Sequence, residues 1–464
     1  MADIFIRDAD WLITVDRQRR ILRSGAIAIE GDRIAAVGKT DDLEPRFGSS
    51  ARVISARGKV VLPGLVDSHI HTAFQLSRGL ADEVSAAKFL FERMYPYEGL
   101  LTEEESYWSA QLCILELLRN GVTTFIDAGN YHPQETIRAV GEAGVRCVIA
   151  KSNLDIPKSP FGALPKTFLE TTEECLERSE EVVEKWNGAH NGRVRAWFQF
   201  RGIPNSTDRL VQGMKQLADR HGVGVETHAC FSRDTLESCK TQFGVTEIER
   251  LDRLGALGPN VLLVHSGWIS PHELQAMKEH DVKIVCAPSS SLHNGYGCVL
   301  MGKIPEFLEM GLAVGLGSDH ASSGIVDLVQ EMRLAAGAYK EVRLNTGVMP
   351  PERVVEMATI NGARCALWDQ DIGSLEAGKK ADITIFNTRT SQWQPLYNPV
   401  SNLVYSATGA SVDTVLCDGA VLMEGRQLKT LDEEEIYMQV DRLIPGILKK
   451  TNLEEKIKPR WPVE

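Results

Sequence analysis

The sequence lacks the features that several classes of protein require. No apolar run approaches the ~20 residues that a membrane-spanning helix needs. The N-terminus has neither the basic start nor the apolar core of a signal peptide, and no GxxxxGK(S/T) phosphate-binding motif occurs. The nine cysteines are odd in number and include no CxxC pair, a pattern typical of reduced thiols. These absences predict a cytoplasmic protein that does not insert into a membrane.

Positive charge is also scarce. Lys and Arg total 51 against 63 Asp and Glu, so the net charge is −12. Nucleic acids and anionic membranes attract proteins through basic surfaces, and neither is therefore an expected partner. The composition is otherwise that of a globular protein, with 43% hydrophobic and 25% charged residues.

The two ends of the chain resemble each other in pattern. Residues 1–62 and 385–464 contain short apolar strands separated by Gly and Asp. Gly31-Asp32 and Asp418-Gly419 are typical two-residue hairpin turns. We therefore expect a small β-sandwich domain built from both termini, with a C-terminal helix after its last strand.

The middle of the chain, residues 63–384, alternates apolar strands with amphipathic helical stretches. Eight strand candidates occur: LVDSHIH, TTFIDAG, RCVIAKSN, RAWFQFRG, GVETHAC, VLLVHSGW, KIVCAPSS and AVGLGSDH. Eight alternating units predict an α/β fold of the (β/α)8 TIM-barrel type. A doubly wound open sheet is the alternative that the same pattern allows.

Side chains that can bind a metal stand at the C-terminal ends of four predicted strands. They are His69, His71, His228, His265 and Asp319. In a parallel barrel these strand ends meet at one mouth, and the two histidines of His69-Ile70-His71 face the same side of their strand. Each residue alone has an ordinary structural explanation, but their common location predicts one site for a divalent ion. Imidazole and carboxylate ligands suit Zn²⁺ or Co²⁺, with Mn²⁺ or Fe²⁺ as further options.

Several segments resemble the metal-dependent amidohydrolase superfamily. They are LPGLVDSHIHTAF, VHSGWIS, GLGSDHASSGIVDLVQEMRLA and IGSLEAGKKADITIFN. HIHTAFQLSRGLADE followed by YPYEGLLTEEE is similar to the cyclic-deaminase and triazine-hydrolase branch. The resemblance implies His69, His71, His228 and Asp319 as the metal ligands. It also implies Asp319 as general base, His265 beside the metal or substrate, and a homo-oligomeric enzyme.

Two departures from that branch bear on the reaction. Cyclic deaminases carry a Glu three residues after the fifth-strand His, whereas this sequence has Phe231. The segment RGIPNST also lacks the His of a GPHSP-like segment. His320 is a candidate acid in place of the missing Glu, or a partner that orients Asp319.

The sequence also bears on the number of metal ions. Binuclear members of the superfamily usually carry a carboxylated lysine at the end of strand four. Here strand four ends in Arg201, and Lys151 ends strand three instead, which favours a mononuclear site.

These residues favour hydrolysis of a C–N or C–S bond beside a carbonyl. The substrate would be a small hydrophobic amide, urea, carbamate or thiocarbamate, as in the superfamily members that hydrolyse phenylurea herbicides and the thiocarbamate molinate. Phe74, Phe231 and Trp268 are the expected apolar pocket residues. The alternative is an aminohydrolase of a purine-, pterin- or triazine-like heterocycle. A third hypothesis, a binding protein without metal, conflicts with the complete set of candidate ligands.

Overall fold

The central unit is an eight-stranded parallel sheet. The computed structural model describes residues 2–49, 52–159, 162–459 and 461–462. The strands, in chain order, are β1 (Leu65–Ile70), β2 (Val122–Asp127), β3 (Arg146–Ala150), β4 (Val194–Gly202), β5 (Val225–Ala229), β6 (Val261–His265), β7 (Lys283–Cys286) and β8 (Val314–Leu316). Each strand pairs in parallel with the next one along the chain.

The sheet closes on itself between its first and last strands. A parallel bridge joins Ile70 to Asp319. The Asp319 amide donates to the His69 carbonyl at 2.9 Å, and the His71 amide donates to the Asp319 carbonyl at 2.7 Å. This closure confirms the predicted (β/α)8 barrel and rules out the open doubly wound sheet. All eight predicted strands are present.

Helices cover the outside of the barrel. The longer ones are Glu103–Arg119, Pro133–Ala143, Thr172–Trp186, Asp208–His221, Arg233–Phe243, Glu247–Arg253, Pro271–Glu279, Pro288–Asn294, Ile304–Glu309, Leu328–Arg343, Pro351–Met357 and Ile360–Cys365. Several begin with a capping box, in which the side chains of the first residue and of a Glu three residues later satisfy free backbone amides. Thr102 with Glu105 and Ser270 with Glu273 are two examples.

A second unit is formed by both ends of the chain. Its four-stranded sheet contains Ile4–Ala9, Gly25–Glu30, Arg33–Lys39 and Arg52–Ser55. Its seven-stranded sheet contains Trp11–Ile13, Ile21–Leu22, Lys59–Pro63, Ile383–Asn387, Val412–Cys417, Ala420–Glu424 and Gln427–Leu428. Buried side chains from both sheets, including Ile27 and Ile385, share one apolar cluster. The additional sheet domain built from both termini is thus observed.

Both predicted hairpins form, with Glu30 opposite Arg33 and Cys417 opposite Ala420. The predicted division at 384/385 falls inside a strand, because Ile383–Asn387 pairs along its length with Lys59–Pro63. That strand contributes to the sandwich rather than to the barrel.

The C-terminal helix Glu433–Thr451 returns to the barrel. Its buried residues Ile436 and Ile447 join an apolar cluster with Phe74 and Leu80, which follow β1. The helix therefore supports the segment that forms one wall of the barrel mouth. Across the described residues, none of the helices combines the length and apolar character needed to cross a bilayer.

Candidate metal centre and active site

Five side chains from four strands converge at the C-terminal end of the barrel. The Nε2 atoms of His71 and His228 are 3.3 Å apart. One Asp319 oxygen lies 3.5 Å from His69 Nε2 and 3.6 Å from His71 Nε2, and its other oxygen lies 3.7 Å from His265 Nε2. Ligand atoms of His69, His71 and His228 lie within 4.8 Å of one another, as do those of His69, His265 and Asp319. The structure thus brings all five predicted residues around one point.

Two hydrogen bonds fix the orientation of the histidine rings. His69 Nδ1 donates to Glu226 Oε1 at 2.6 Å, and His228 Nδ1 donates to the Arg201 carbonyl at 2.7 Å. Each bond leaves the Nε2 atom of the ring facing the centre of the site, an arrangement that is usual for metal-binding imidazoles. Sequence reasoning missed Glu226. The available signal was its spacing, because Glu226 and His228 are two residues apart on one strand and share a face.

A second buried carboxylate ties the first and last strands together. Asp67 accepts hydrogen bonds from the Ser318 hydroxyl at 2.6 Å and from the Ser318 amide at 3.1 Å. It also accepts from the His69 amide at 3.2 Å. Asp67 therefore holds β1 against the segment that carries Asp319, although the sequence analysis did not single it out.

The backbone at two site residues is strained. Asp319 has a φ of +65° and His265 a φ of +76°. Residues with a side chain rarely adopt this left-handed region, and such positions cluster at functional sites. Both residues lie at or just after the C-terminal ends of their strands and line the mouth of the barrel.

The electrostatic surroundings prepare the site for a cation. Burial lowers the pKa of His71 and His228 well below the usual range and lowers the pKa of His265 to about 4. Burial opposes ionisation of Asp319, but His320 and His69 outweigh it and hold the pKa of that carboxyl well below its usual range. His69 differs: burial opposes its protonation, but Asp319 and Glu226 outweigh burial and raise its pKa to about 10. Neutral imidazoles and an ionised carboxylate are the forms that bind a metal, so binding at this centre would release the proton of His69.

The residues present fit a divalent ion. His69 Nε2 is buried and has no hydrogen-bond partner among the described residues. Four imidazoles and a carboxylate form a donor set suited to Zn²⁺ and its neighbours in the first transition series. His69, His71, His228 and Asp319 are the residues that would hold the ion.

A cavity lies directly above this centre. Its lining includes three of the four candidate ligands, His71, His228 and Asp319, together with the aromatic residues Phe74, Phe89, Phe91, Tyr95, Phe231 and Tyr296. Two of the three predicted pocket residues, Phe74 and Phe231, are therefore in the wall. Trp268 is absent from the described lining; its indole Nε1 donates instead to the Tyr296 carbonyl at 2.8 Å. Trp268 thus supports Tyr296, a wall residue that sequence reasoning missed because it follows β7 in an irregular segment.

Phe231 makes one side of the site apolar. Its ring centre lies 5.8 Å from that of His265 and 5.3 Å from that of Tyr296. Among the described lining residues, Asp319 is the only carboxylate. The cavity wall therefore offers no second carboxylic acid to replace a Glu at position 231.

His320 lies beside Asp319 and lines the same cavity. Its Nε2 is 3.6 Å from an Asp319 oxygen, and its Nδ1 is 2.7 Å from the Ser322 hydroxyl. Its ring stacks on Phe89 with centres 4.8 Å apart. This geometry suits both of the roles expected from the sequence, a proton donor to substrate and a partner that orients Asp319.

Lys151 has a structural environment. Its ammonium group pairs with Glu170 and donates to Asn153 Oδ1 at 3.0 Å. The end of β4 instead carries Arg201, whose guanidinium pairs with Glu98. Lys151 and Arg201 thus both have ion-pair partners outside the candidate metal centre, and the single ion stays a prediction.

The fold and the site together define a metal-dependent hydrolase on a (β/α)8 barrel. The chain belongs to the amidohydrolase family, whose sequence profile matches residues 60–422. A shorter match, to an imidazolonepropionase-like composite domain of bacteria, covers residues 25–47.

The most similar relatives include deaminases. The chain is 34% identical over 443 residues to a 5'-deoxyadenosine deaminase of Methanobrevibacter smithii, covering 95% of this chain and 97% of the relative. It is 34% identical over 423 residues to a 5-methylthioadenosine/S-adenosylhomocysteine deaminase of Moorella thermoacetica, covering 91% and 95%. The family assignment made from the sequence motifs is confirmed, and these relatives favour the heterocycle alternative over a urea or carbamate substrate.

A solved structure agrees in fold. Atrazine chlorohydrolase from Arthrobacter aurescens TC1, crystallised with zinc, superposes with a TM-score of 0.87 at 27% identity. The superposition covers 95% of this chain and all of that chain. The protein is therefore a metal-dependent amidohydrolase of the deaminase-like branch.

Proposed function

We propose that the protein is an aminohydrolase that uses one divalent metal ion to release ammonia from a small, purine-, pterin- or triazine-like heterocycle. The observation that carries this proposal is the 34% identity to a 5'-deoxyadenosine deaminase along 95% of the chain. The apolar, aromatic cavity wall supports it, because flat heterocycles pack well against such surfaces.

We assign His69, His71, His228 and Asp319 as metal ligands, with zinc the first choice. A bound ion of this type supplies activated water and polarises the substrate. We assign Asp319 as the general base. One of its carboxylate oxygens lies 3.7 Å from His265 Nε2 and 3.6 Å from His320 Nε2. The carboxylate takes a proton from the attacking water and returns it to the leaving amine. We assign His265 as the residue that donates from Nε2 to a developing oxyanion.

Phe231 favours a second candidate function. Ring deamination needs an acid beside the ring nitrogen, and Phe231 cannot transfer a proton. Hydrolysis of an amide, urea, carbamate or thiocarbamate has no such need, because the charge develops on a carbonyl oxygen. The same metal ligands and the same base would then cleave a C–N or C–S bond. In the aminohydrolase, His320 is our candidate for the missing acid.

A two-product assay separates these functions. Zinc-loaded protein is incubated with 5'-deoxyadenosine, 5-methylthioadenosine, a pterin and an aminotriazine, and ammonia is measured. In parallel, phenylureas, anilides and thiocarbamates are assayed for released amine or thiol. Ammonia from a heterocycle supports the aminohydrolase. Turnover of carbonyl substrates without any ammonia release supports the second candidate and overturns the first.

Metal analysis provides the control for both functions. We expect about one equivalent of metal in the wild type and much less in His69→Ala. A chelator should abolish turnover, and added Zn²⁺ or Co²⁺ should restore it. Full activity in metal-free protein would contradict both candidate functions.

A further inference from the structure

Arg201 is a buried cation whose hydrogen bonds are incomplete. It is 3% exposed and lines the cavity above the candidate metal centre. Its Nη1 donates to Glu98 at 2.5 Å and to the Ser152 hydroxyl at 3.4 Å. Nε and Nη2 make no hydrogen bond to the described residues and are not sealed from solvent, so both are open to the cavity that Arg201 lines. Donors in such a position are satisfied by water or by a ligand, so a bound substrate can supply their acceptor.

The surroundings hold the guanidinium in a fixed position. Its carbon lies 5.4 Å from the ring centre of Phe74 and 5.2 Å from that of Tyr95, within the range of cation–π attraction. The Arg201 carbonyl accepts the hydrogen bond from His228 Nδ1 at 2.7 Å. The same residue thus orients a candidate metal ligand through its backbone and presents free N–H groups through its side chain.

Arg201 is also the only permanently charged cation in the described lining of the cavity. The rest of that lining consists mainly of aromatic side chains and the metal-centre residues. Binding sites of this kind use a few fixed polar groups to select the orientation of an otherwise apolar ligand. The position of Arg201 on the β4 side makes it such a group.

Glu98 determines which acceptor the arginine can take. It is 3% exposed and its other oxygen, Oε1, is buried without a partner among the described residues. The Glu98–Arg201 pair is therefore neutral as a whole, and a carboxylate ligand would meet the negative charge of Glu98 at close range. A neutral acceptor, such as a carbonyl oxygen or a ring-nitrogen lone pair, avoids this repulsion.

We propose that Arg201 is a specificity-determining residue that donates hydrogen bonds to a neutral acceptor atom of the substrate. The substrate class is then a flat, uncharged and largely apolar molecule with a carbonyl or ring-nitrogen acceptor. The inference concerns the cavity of the proposed function, but it holds for either candidate reaction.

Ligand binding tests this inference without requiring turnover. The probes are acetophenone, which has a neutral carbonyl, ethylbenzene, which lacks it, and benzoate, which is anionic. Calorimetry is performed on the full-length protein, both metal-loaded and metal-stripped, so that binding of the carbonyl to the metal is separated from binding to Arg201. We expect acetophenone to bind roughly tenfold or more tightly than ethylbenzene, as for hydrogen bonds to a charged group.

The decisive variant is Arg201→Met combined with Glu98→Gln. It replaces the ion pair by neutral side chains of similar length, so that no unpaired charge is left in the core. We expect this variant to bind both neutral probes with similar affinity, whereas Arg201→Lys should retain part of the preference.

A matched control tests whether any change is general. Arg146 is 1% exposed at the start of β3, at the opposite end of the barrel, and pairs with Asp382 at 2.7 Å. Arg146→Met combined with Asp382→Asn should keep the full preference for acetophenone.

Three results would overturn the proposal. They are equal affinity of the wild type for the two neutral probes, no binding of either probe, and a preference for acetophenone that survives in the Arg201 variant. Benzoate binding most tightly would overturn the neutral substrate class. None of these outcomes depends on which reaction the enzyme catalyses.

Discussion

Glu226 Oε1 accepts a hydrogen bond of 2.6 Å from His69 Nδ1, and both side chains are completely removed from solvent or nearly so. The contact joins β5 to β1 across the barrel interior. Because the bond fixes the ring of His69, Glu226 would act on a bound metal through His69. Histidine ligands owe both their orientation and their basicity to partners of this kind.

Glu226→Gln should weaken metal binding. Glutamine keeps the size of the side chain but removes the negative charge that supports His69, and changes to such partners typically reduce metal affinity by about 10- to 100-fold. Competition with a zinc chelator of known affinity measures the effect. Glu331→Gln is a matched control, because Glu331 is buried and accepts a hydrogen bond from the Ser289 amide rather than from a candidate ligand. Equal zinc affinity of the two variants would contradict the role of Glu226.

Asp319→Asn should lower kcat strongly. The amide keeps the shape of the side chain but cannot accept the proton of water, and general-base catalysis contributes typically ~10²–10⁴-fold. Weaker metal binding would add to the loss, so activity is compared at saturating Zn²⁺ with the metal content measured. An Asp319→Asn enzyme within a few-fold of the wild type would show that Asp319 is not the base.

His320→Ala distinguishes the two candidate roles of this histidine. If His320 is the acid, the variant should lose deamination of heterocycles selectively and keep hydrolysis of carbonyl substrates. If it only orients Asp319, both activities should fall together. Parallel assays of ammonia and of amine release give the answer. Unchanged activity toward both substrate types would exclude both roles.

Phe231→Glu should impair the native reaction. The cavity wall beside His265 is apolar, and a carboxylate placed there without a partner is costly and tends to take up a proton. We expect lower turnover of the native substrate, with metal content measured as a check on the centre. A robust gain of ammonia release from a heterocycle would show instead that position 231 can accept a working acid.

Stability should fall with rising pH because of Glu331. Burial raises its pKa from an ordinary 4.5 to about 8, with the Ser289 hydrogen bonds opposing the shift. Between these values the unfolded chain releases a proton that the folded protein keeps, so this contribution is complete below about pH 4.5 and is lost as pH rises toward 8. Glu331→Gln removes the effect. Urea unfolding from pH 5 to 9 should therefore show the variant gaining stability relative to the wild type, and parallel pH profiles would disprove the assignment.

The sequence by itself determined the architecture and the candidate ligands. Short apolar runs that alternate with amphipathic stretches located all eight strands, because each barrel strand is buried along its length and each helix has one apolar face. The parallel barrel then placed His69, His228 and Asp319 at one mouth, since every strand runs in the same direction. These inferences depend on local hydrophobic pattern and on the rule that parallel strands end at one face of the barrel. Both can be read from the order of residues along the chain.

Only the tertiary structure determined which residues orient the site side chains and which residues line the cavity. Glu226 meets His69 from a strand 157 positions away, and Glu98 meets Arg201 across 103 positions. Trp268 turned out to support Tyr296 rather than line the cavity. Such contacts depend on rotamers and on the path of irregular segments at the strand ends. Neither follows from local periodicity, because long-range packing, and not propensity, selects among the conformations that each segment allows.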